Sequence, residues 1–261
     1  MARQPRLDAP GVLHHVMAHG IERQPIFTDD RDRDEFVRRL SDLASEGKLI
    51  VYAWSLMPNH FHLLVRAGKI SLSRSMRSLL TGYAGYFNRR YRRHGHVFQN
   101  RFKSIICEEE PYFLELVRYL HLNPLRAGVV KDLNELDRYP YTGHSVLVGR
   151  IDRSWQDTED VRSRFGETCR KAAKSYRAFV SDGVGQGRRP DLMGGGLYRK
   201  AEGLTLWVVD FIEAWVVGVQ LRIYVETARH IGLTNACWDL LHLLRPCLRK
   251  WMLNLKEDVG R

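Results

Sequence analysis

Met57-Pro58-Asn59-His60-Phe61-His62-Leu63-Leu64-Val65 carries the decision about the fold, because it breaks an apolar run and restarts it with a different periodicity. Proline cannot donate to a sheet ladder and asparagine tolerates turn geometry, so Met57-Pro58-Asn59 reads as a turn. Leu49 to Leu56 before it, rich in β-branched and aromatic residues, is a strand, and His60 to Arg66 after it is the next one. Side chains alternate faces along a strand, so His60 and His62 point one way while Phe61 points into the core. Two imidazoles on one face supply two of the ligands a divalent metal requires.

Working outward, Leu13 to Ile21 reads as a strand, and a helix spans about Asp30 to Glu46, with Phe36, Val37, Leu40 and Leu43 at helical spacing and Asp29 or Asp30 as N-cap. C-terminal to the histidines, the pattern predicts a helix from Leu72 to Arg92, a strand from Phe102 to Glu108 and a helix from Pro111 to Leu122. Asn123-Pro124 marks where that last helix ends or bends. Strand, helix, strand, strand, helix, strand, helix is a split βαβ order. It predicts an α+β fold: a ferredoxin- or RRM-like antiparallel sheet with helices packed on it.

The 261 residues divide, on this reading, into a domain over 1–150, a helical extension over 151–182 with one helix from Glu159 to Val180, a glycine-rich linker over 183–196, and a divergent, helical tail over 197–261. Four scattered cysteines without a CxxC pair indicate neither a zinc knuckle nor a disulfide framework. Arg3 and Arg6 are followed by no apolar signal core, and Leu204 to Leu221 is interrupted by Asp210 and Glu213, so a cytoplasmic protein without a membrane span is expected.

A net charge of +11 favours polyanionic partners, and its placement says more than its size. Arg66, Lys69, Arg74, Arg77, Arg89, Arg90, Arg92, Arg93, Arg101 and Lys103 occur before the next acid, Glu108. Tyr83, Tyr86, Phe87 and Tyr91 are interleaved with them, and a cationic groove with stacking rings suits single-stranded nucleic acid. His94-Gly95-His96 repeats the HxH spacing, but with a glycine spacer inside a basic loop it reads as a phosphate-contacting turn.

Tyr119 and Asn123 are four apart in the third helix and share a face, placing a hydroxyl beside an amide. Asparagine oxygen can join a hard-metal shell and tyrosine can act as a covalent nucleophile. By spacing alone, the plainer arrangement is a tyrosine half-buried on the sheet with Asn123 as a C-terminal cap. Tyr83, Tyr86, Tyr91 and Tyr112 are rival nucleophiles, and none has an amide or carboxylate four residues onward.

Pro58-Asn59-His60-Phe61-His62-Leu63-Leu64 together with Tyr119-Leu120-His121-Leu122-Asn123-Pro124-Leu125-Arg126-Ala127-Gly128 resembles the REP-associated tyrosine transposases, single-tyrosine members of the HUH endonuclease class. His14-His15-Val16, the segment Gly20 to Phe27, and Phe98-Gln99-Asn100-Arg101-Phe102-Lys103-Ser104 are similar in content and order, so the resemblance covers about the first 145 residues. It implies that His60 and His62 bind Mg²⁺ or Mn²⁺, that Asn123 stands at the polar third-ligand position, and that Tyr119 is the nucleophile. It further implies cleavage of single-stranded, hairpin-forming DNA through a 5′-phosphotyrosine, with strand transfer by a monomer or homodimer. Arg74, Arg77, Arg89, Arg90, Arg92, Arg93, Arg101, Lys103, Tyr83 and Tyr86 are then the expected DNA contacts. Two departures stand out: His19 occupies a place where relatives often have arginine, and from about Tyr198 the similarity to longer relatives stops. A non-catalytic nucleic-acid-binding module and a phosphodiesterase that uses water are the competing readings.

Overall fold

The computed structural model describes residues 11–107 and 109–187, so the tail expected over 197–261 and residues 188–196 of the linker lie outside the described residues. Its strands are β1 (Leu13–His19), β2 (Leu49–Met57), β3 (His60–Ala67) and β4 (Lys103–Ile106). The helices are α1 (Asp30–Ser45), α2 (Leu72–Arg90), α3 (Glu109–His121), α4 (Asn123–Arg126), α5 (Leu133–Arg138), α6 (Gly143–Leu147), α7 (Glu159–Arg162) and α8 (Cys169–Asp182). Strand order is β2-β3-β1-β4 with every neighbouring pair antiparallel. This is the α+β antiparallel sheet with packed helices that the element order predicts.

The hydrophobic pattern decides which face each helix covers. On one face Val16, Phe61, Leu63, Val65, Trp54 and Leu56 meet Phe36 and Leu40 of α1 and Met76, Leu79 and Tyr83 of α2. The opposite face sets Leu13, Ala53 and Leu64 against Phe113, Leu116, Tyr119 and Leu120 of α3. β3 is therefore buried on both faces, which explains why its sequence runs apolar except where the histidines interrupt it. Burying one such leucine or phenylalanine contributes about 1.5–3 kcal/mol.

Polar groups fix the ends of these elements. Asp29 caps α1 by accepting from the Asp32 amide, and Asp32 accepts from the Thr28 amide in return. Ser71 caps α2. The single helix expected over 159–180 is broken: α7 stops at Arg162, Gly166 adopts φ +159°, and Thr168 caps a new helix. A threonine cap and a left-handed glycine outweigh the continuous apolar spacing. Tyr176 and Val180 of α8 share the core beneath α3, and Arg118 of α3 donates to Gln186 at 3.0 Å, within the segment read as linker. Among the described residues no helix is long and apolar enough to cross a membrane.

Candidate active site

Register builds the centre of the site. His60 pairs with His19 and His62 with Met17 across β3 and β1, so His15, His19, His60 and His62 occupy the face that α3 covers. The His60 and His62 rings are 5.2 Å apart, and His19 stacks on His60 at 4.8 Å with planes 12° apart. From the helix side, the Tyr119 ring meets His62 edge to face at 6.5 Å, and the Arg126 guanidinium lies 5.1 Å from the Tyr119 ring centre. Tyr119 is only 5% exposed.

Asn123 does not cap α3. It is the first residue of α4, and Leu122 between the two helices stays in the right-handed helical region. The backbone bonds Leu122 N–H to Arg118 C=O and Ala127 N–H to Asn123 C=O carry helical spacing across the joint. Proline at the first turn of α4 lacks only an N–H that a helix start leaves unused. Asn123 is buried, with its Nδ2 lacking a hydrogen-bond partner. The two ends of an amide exchange by a half-turn, so this orphaned end can equally present oxygen.

Hydrogen bonds set the histidine tautomers. Asn59 donates its Nδ2 to the Arg23 carbonyl at 3.1 Å, which turns its Oδ1 toward His60 Nδ1 at 2.7 Å. His60 must then carry its proton on Nδ1, leaving the Nε2 lone pair for a metal. His62 Nδ1 lies 2.9 Å from His15 Nε2, so the same tautomer at His62 requires His15 to accept. Burial, reinforced by the His19 charge, brings the His60 pKa down to about 4. Burial first, then His15, His60 and His19, holds His62 well below its ordinary value. Both imidazoles are neutral at pH 7, the state in which histidine ligates a metal. Among the described residues no group of three His, Cys, Asp or Glu side chains forms a metal cluster, so a third protein ligand here would be an amide.

The turn between β1 and α1 braces this end of the sheet. Gly20 donates to the Asn59 carbonyl, and a Cβ at position 20 would fall 2.0 Å from the Gln24 carbonyl oxygen. Asn59 and His15 were quoted for the family resemblance without a role. Asn59 adjoins His60 in sequence, and an amide next to a candidate ligand is a readable signal. The part of His15 depends on strand register, which no local pattern announces.

The expected DNA contacts separate. Arg74, Arg77, Arg89, Arg92, Arg93, Arg101 and Lys103 are exposed. Two expectations are corrected. Tyr83 is fully buried in the core and donates to the Ile26 carbonyl, so it cannot stack on bases. Arg90 is bound to Asp29 and Asp32 of the α1 cap, holding the Asp29 carboxyl at about 2, so its charge is already matched. Tyr86 is half-buried, with its hydroxyl 3.4 Å from the Arg31 carbonyl. α2 also packs on the sheet face opposite α3, so its arginines are not beside Tyr119. Lys103 pairs with Met17 and so belongs to the histidine face.

A family model described as "Transposase IS200 like" matches residues 10–123, the stretch that holds β1 through α3 and ends on Asn123. These residues belong to the IS200-like transposase family. The transposase domain is similar to a solved REP-associated tyrosine transposase bound to a REP hairpin, at 16% identity and TM-score 0.46, covering 60% of this chain and 98% of that one. A putative transposase from Deinococcus radiodurans R1 is similar at 17% identity and TM-score 0.32, covering 41% and 88%. No curated protein matches the sequence.

Proposed function

We propose that this transposase domain nicks and rejoins single-stranded DNA at a hairpin of the REP type, with Tyr119 as nucleophile. The observation that carries the reading is the edge-to-face contact of Tyr119 with His62, whose neighbour His60 is held in the metal-binding tautomer. His60, His62 and Asn123 would hold Mg²⁺ or Mn²⁺, and the orphaned amide end of Asn123 fits such a ligand. A bound ion would polarise the scissile phosphate and offset its developing charge.

The chain's own groups perform the rest. Tyr119 Oη attacks phosphorus in line, forming the phosphotyrosine bond while the bond from phosphorus to the 3′ oxygen breaks, and that oxygen leaves as a free 3′-hydroxyl. The tyrosine proton departs to solvent. A second 3′-hydroxyl reverses the step, restoring the phenol and joining two strands. The Arg126 guanidinium over the ring supplies positive charge beside the nucleophile.

Incubating the full chain with a 5′-labelled and a 3′-labelled hairpin oligonucleotide and Mn²⁺, then resolving the products on a denaturing gel, tests this. The expected result is a protein adduct on the 3′-labelled fragment, lost in Tyr119→Phe and in His60→Ala with His62→Ala. An adduct that persists in Tyr119→Phe removes the nucleophile assignment. The 5% exposure of Tyr119 favours the competing reading, a module that binds DNA without cutting it. That reading expects salt-sensitive binding, indifference to chelator, and no adduct with either metal.

A further inference from the structure

A cavity of about 740 Å³ opens between α2 and the segment 95–102, within the size range of small-ligand sites. Its floor includes Met76, Leu80 and Phe98, Arg77 and Arg101 stand at its wall, and no acidic residue lines it. Asn88 donates its Nδ2 to the Gly95 carbonyl at 2.9 Å, which fixes the orientation of the amide. Its Oδ1, on the cavity wall, is buried and accepts no hydrogen bond. A buried acceptor without a donor costs about 1–3 kcal/mol, so it marks a place where a donor from outside is wanted.

The segment that forms the cavity is tied to the histidine end of the sheet. Gln99 N–H donates to the His19 carbonyl at 2.9 Å, Ile21 N–H donates to the Val97 carbonyl at 3.0 Å, and Phe98 pairs with Gly20. His19 in turn stacks on His60. A strand of DNA lying on the candidate active site therefore has a cationic, aromatic-floored cavity next to it around the β4 edge of the sheet.

We infer that this cavity takes one unpaired nucleotide of the DNA, its base on the apolar floor with an N–H edge donating to Asn88 Oδ1 and its phosphate toward Arg77 and Arg101. The inference rests on the single-stranded DNA reading above. Aromatic stacking and arginine contacts to phosphate are the usual means of holding such a nucleotide. Gly85, exposed on α2 at the cavity wall, keeps the space open: a Cβ there would meet nothing within 4 Å.

The test uses the full chain and a hairpin oligonucleotide with unpaired flanks, substituted in turn with an abasic site at each unpaired position. In wild type, one abasic position should weaken binding roughly tenfold, the scale of one stacked base. Gly85→Trp fills the cavity at an exposed helix position, and Asn88→Leu removes the acceptor. Each should weaken binding of the intact oligonucleotide by a similar factor, and in each the sensitive abasic position should then have no further effect. Unchanged binding by Gly85→Trp overturns the inference, as does an abasic penalty that persists in full in both variants. Failure of wild type to bind the oligonucleotide at all overturns the DNA reading as well. A Tyr119 adduct formed normally by wild type alongside a silent Gly85→Trp would remove the cavity alone.

Discussion

Replacing Asn59 by alanine should weaken metal binding without unfolding the protein. Asn59 is the only contact described here that obliges His60 to protonate at Nδ1, because Arg23 C=O claims Nδ2 and leaves Oδ1 for the imidazole. Without it, both ring tautomers become available and only one can offer Nε2. The hydrogen bond itself is worth about 0.5–1.5 kcal/mol, and outer-shell partners of metal-binding histidines typically govern about 10–100-fold in affinity. Since about 1.4 kcal/mol corresponds to a factor of ten, the two figures meet near a tenfold loss. Because Asn59 is half exposed, its loss should lower stability by no more than about 1 kcal/mol. Isothermal titration of chelator-treated protein with Mn²⁺ measures the effect directly. Asn59→Asp keeps an acceptor toward Nδ1 and should recover most of the affinity. An Asn59→Ala protein that binds Mn²⁺ as tightly as wild type would refute the tautomer argument.

Three further outcomes are expected. His60, His62, His121 and His144 all have folded-state pKa values lowered from 6.5, first by burial. Their contribution to stability is complete above pH 6.5 and is lost as pH falls toward the folded values, by up to about 1.4 kcal/mol per pH unit for each histidine. The urea midpoint of metal-free protein should therefore drop steadily from pH 6.5 to 4.5, and a flat profile would contradict the burial of these rings. Tyr176→Phe removes the hydroxyl that bridges His121 Nδ1 at 2.6 Å and His144 Nδ1 at 3.4 Å, leaving buried imidazole nitrogens unserved. It should cost about 1–3 kcal/mol, seen as a Tm lower by several degrees, and an unchanged Tm would show that the network contributes nothing. Arg90→Ala should destabilise the fold by about 1–3 kcal/mol because Asp32 is fully buried, yet leave the salt dependence of DNA binding unaltered. Arg89→Ala should do the reverse, reducing the slope of log affinity against log salt by about one.

How much was legible followed from how local each signal is. The alternation through Phe61, Leu63 and Val65 and the helical spacing of Phe36, Val37, Leu40 and Leu43 suffice for β3 and α1, because each element buries its own pattern. Tyr119 and Asn123 are placed by four-residue spacing, and the Asn123-Pro124 bend is readable from proline geometry. Charge was misleading for a nonlocal reason: ten cations without an acid in sequence are not ten free cations in space, since Asp29 and Asp32 reach Arg90 from α1. The interleaved aromatics divide likewise, Tyr83 into the core and Tyr86 to its margin. Strand register, which lines His15 and His19 up with His62 and His60, exists only once β1 and β3 are paired.

The joint at Leu122 has a mechanical consequence. Because helical hydrogen bonding passes through it, Tyr119 and Asn123 ride on one rigid body, while His60 and His62 ride on a strand bonded on both sides. Nucleophile and ligands are thus brought into alignment by a single degree of freedom, the seating of one helix against one sheet. A slide of α3 by one residue rise, about 1.5 Å, misaligns the hydroxyl and the amide together. Anything that grips both bodies at once works as a latch: it sets the reach of the tyrosine and the completeness of the ligand set in the same motion, so the site is either wholly assembled or wholly apart.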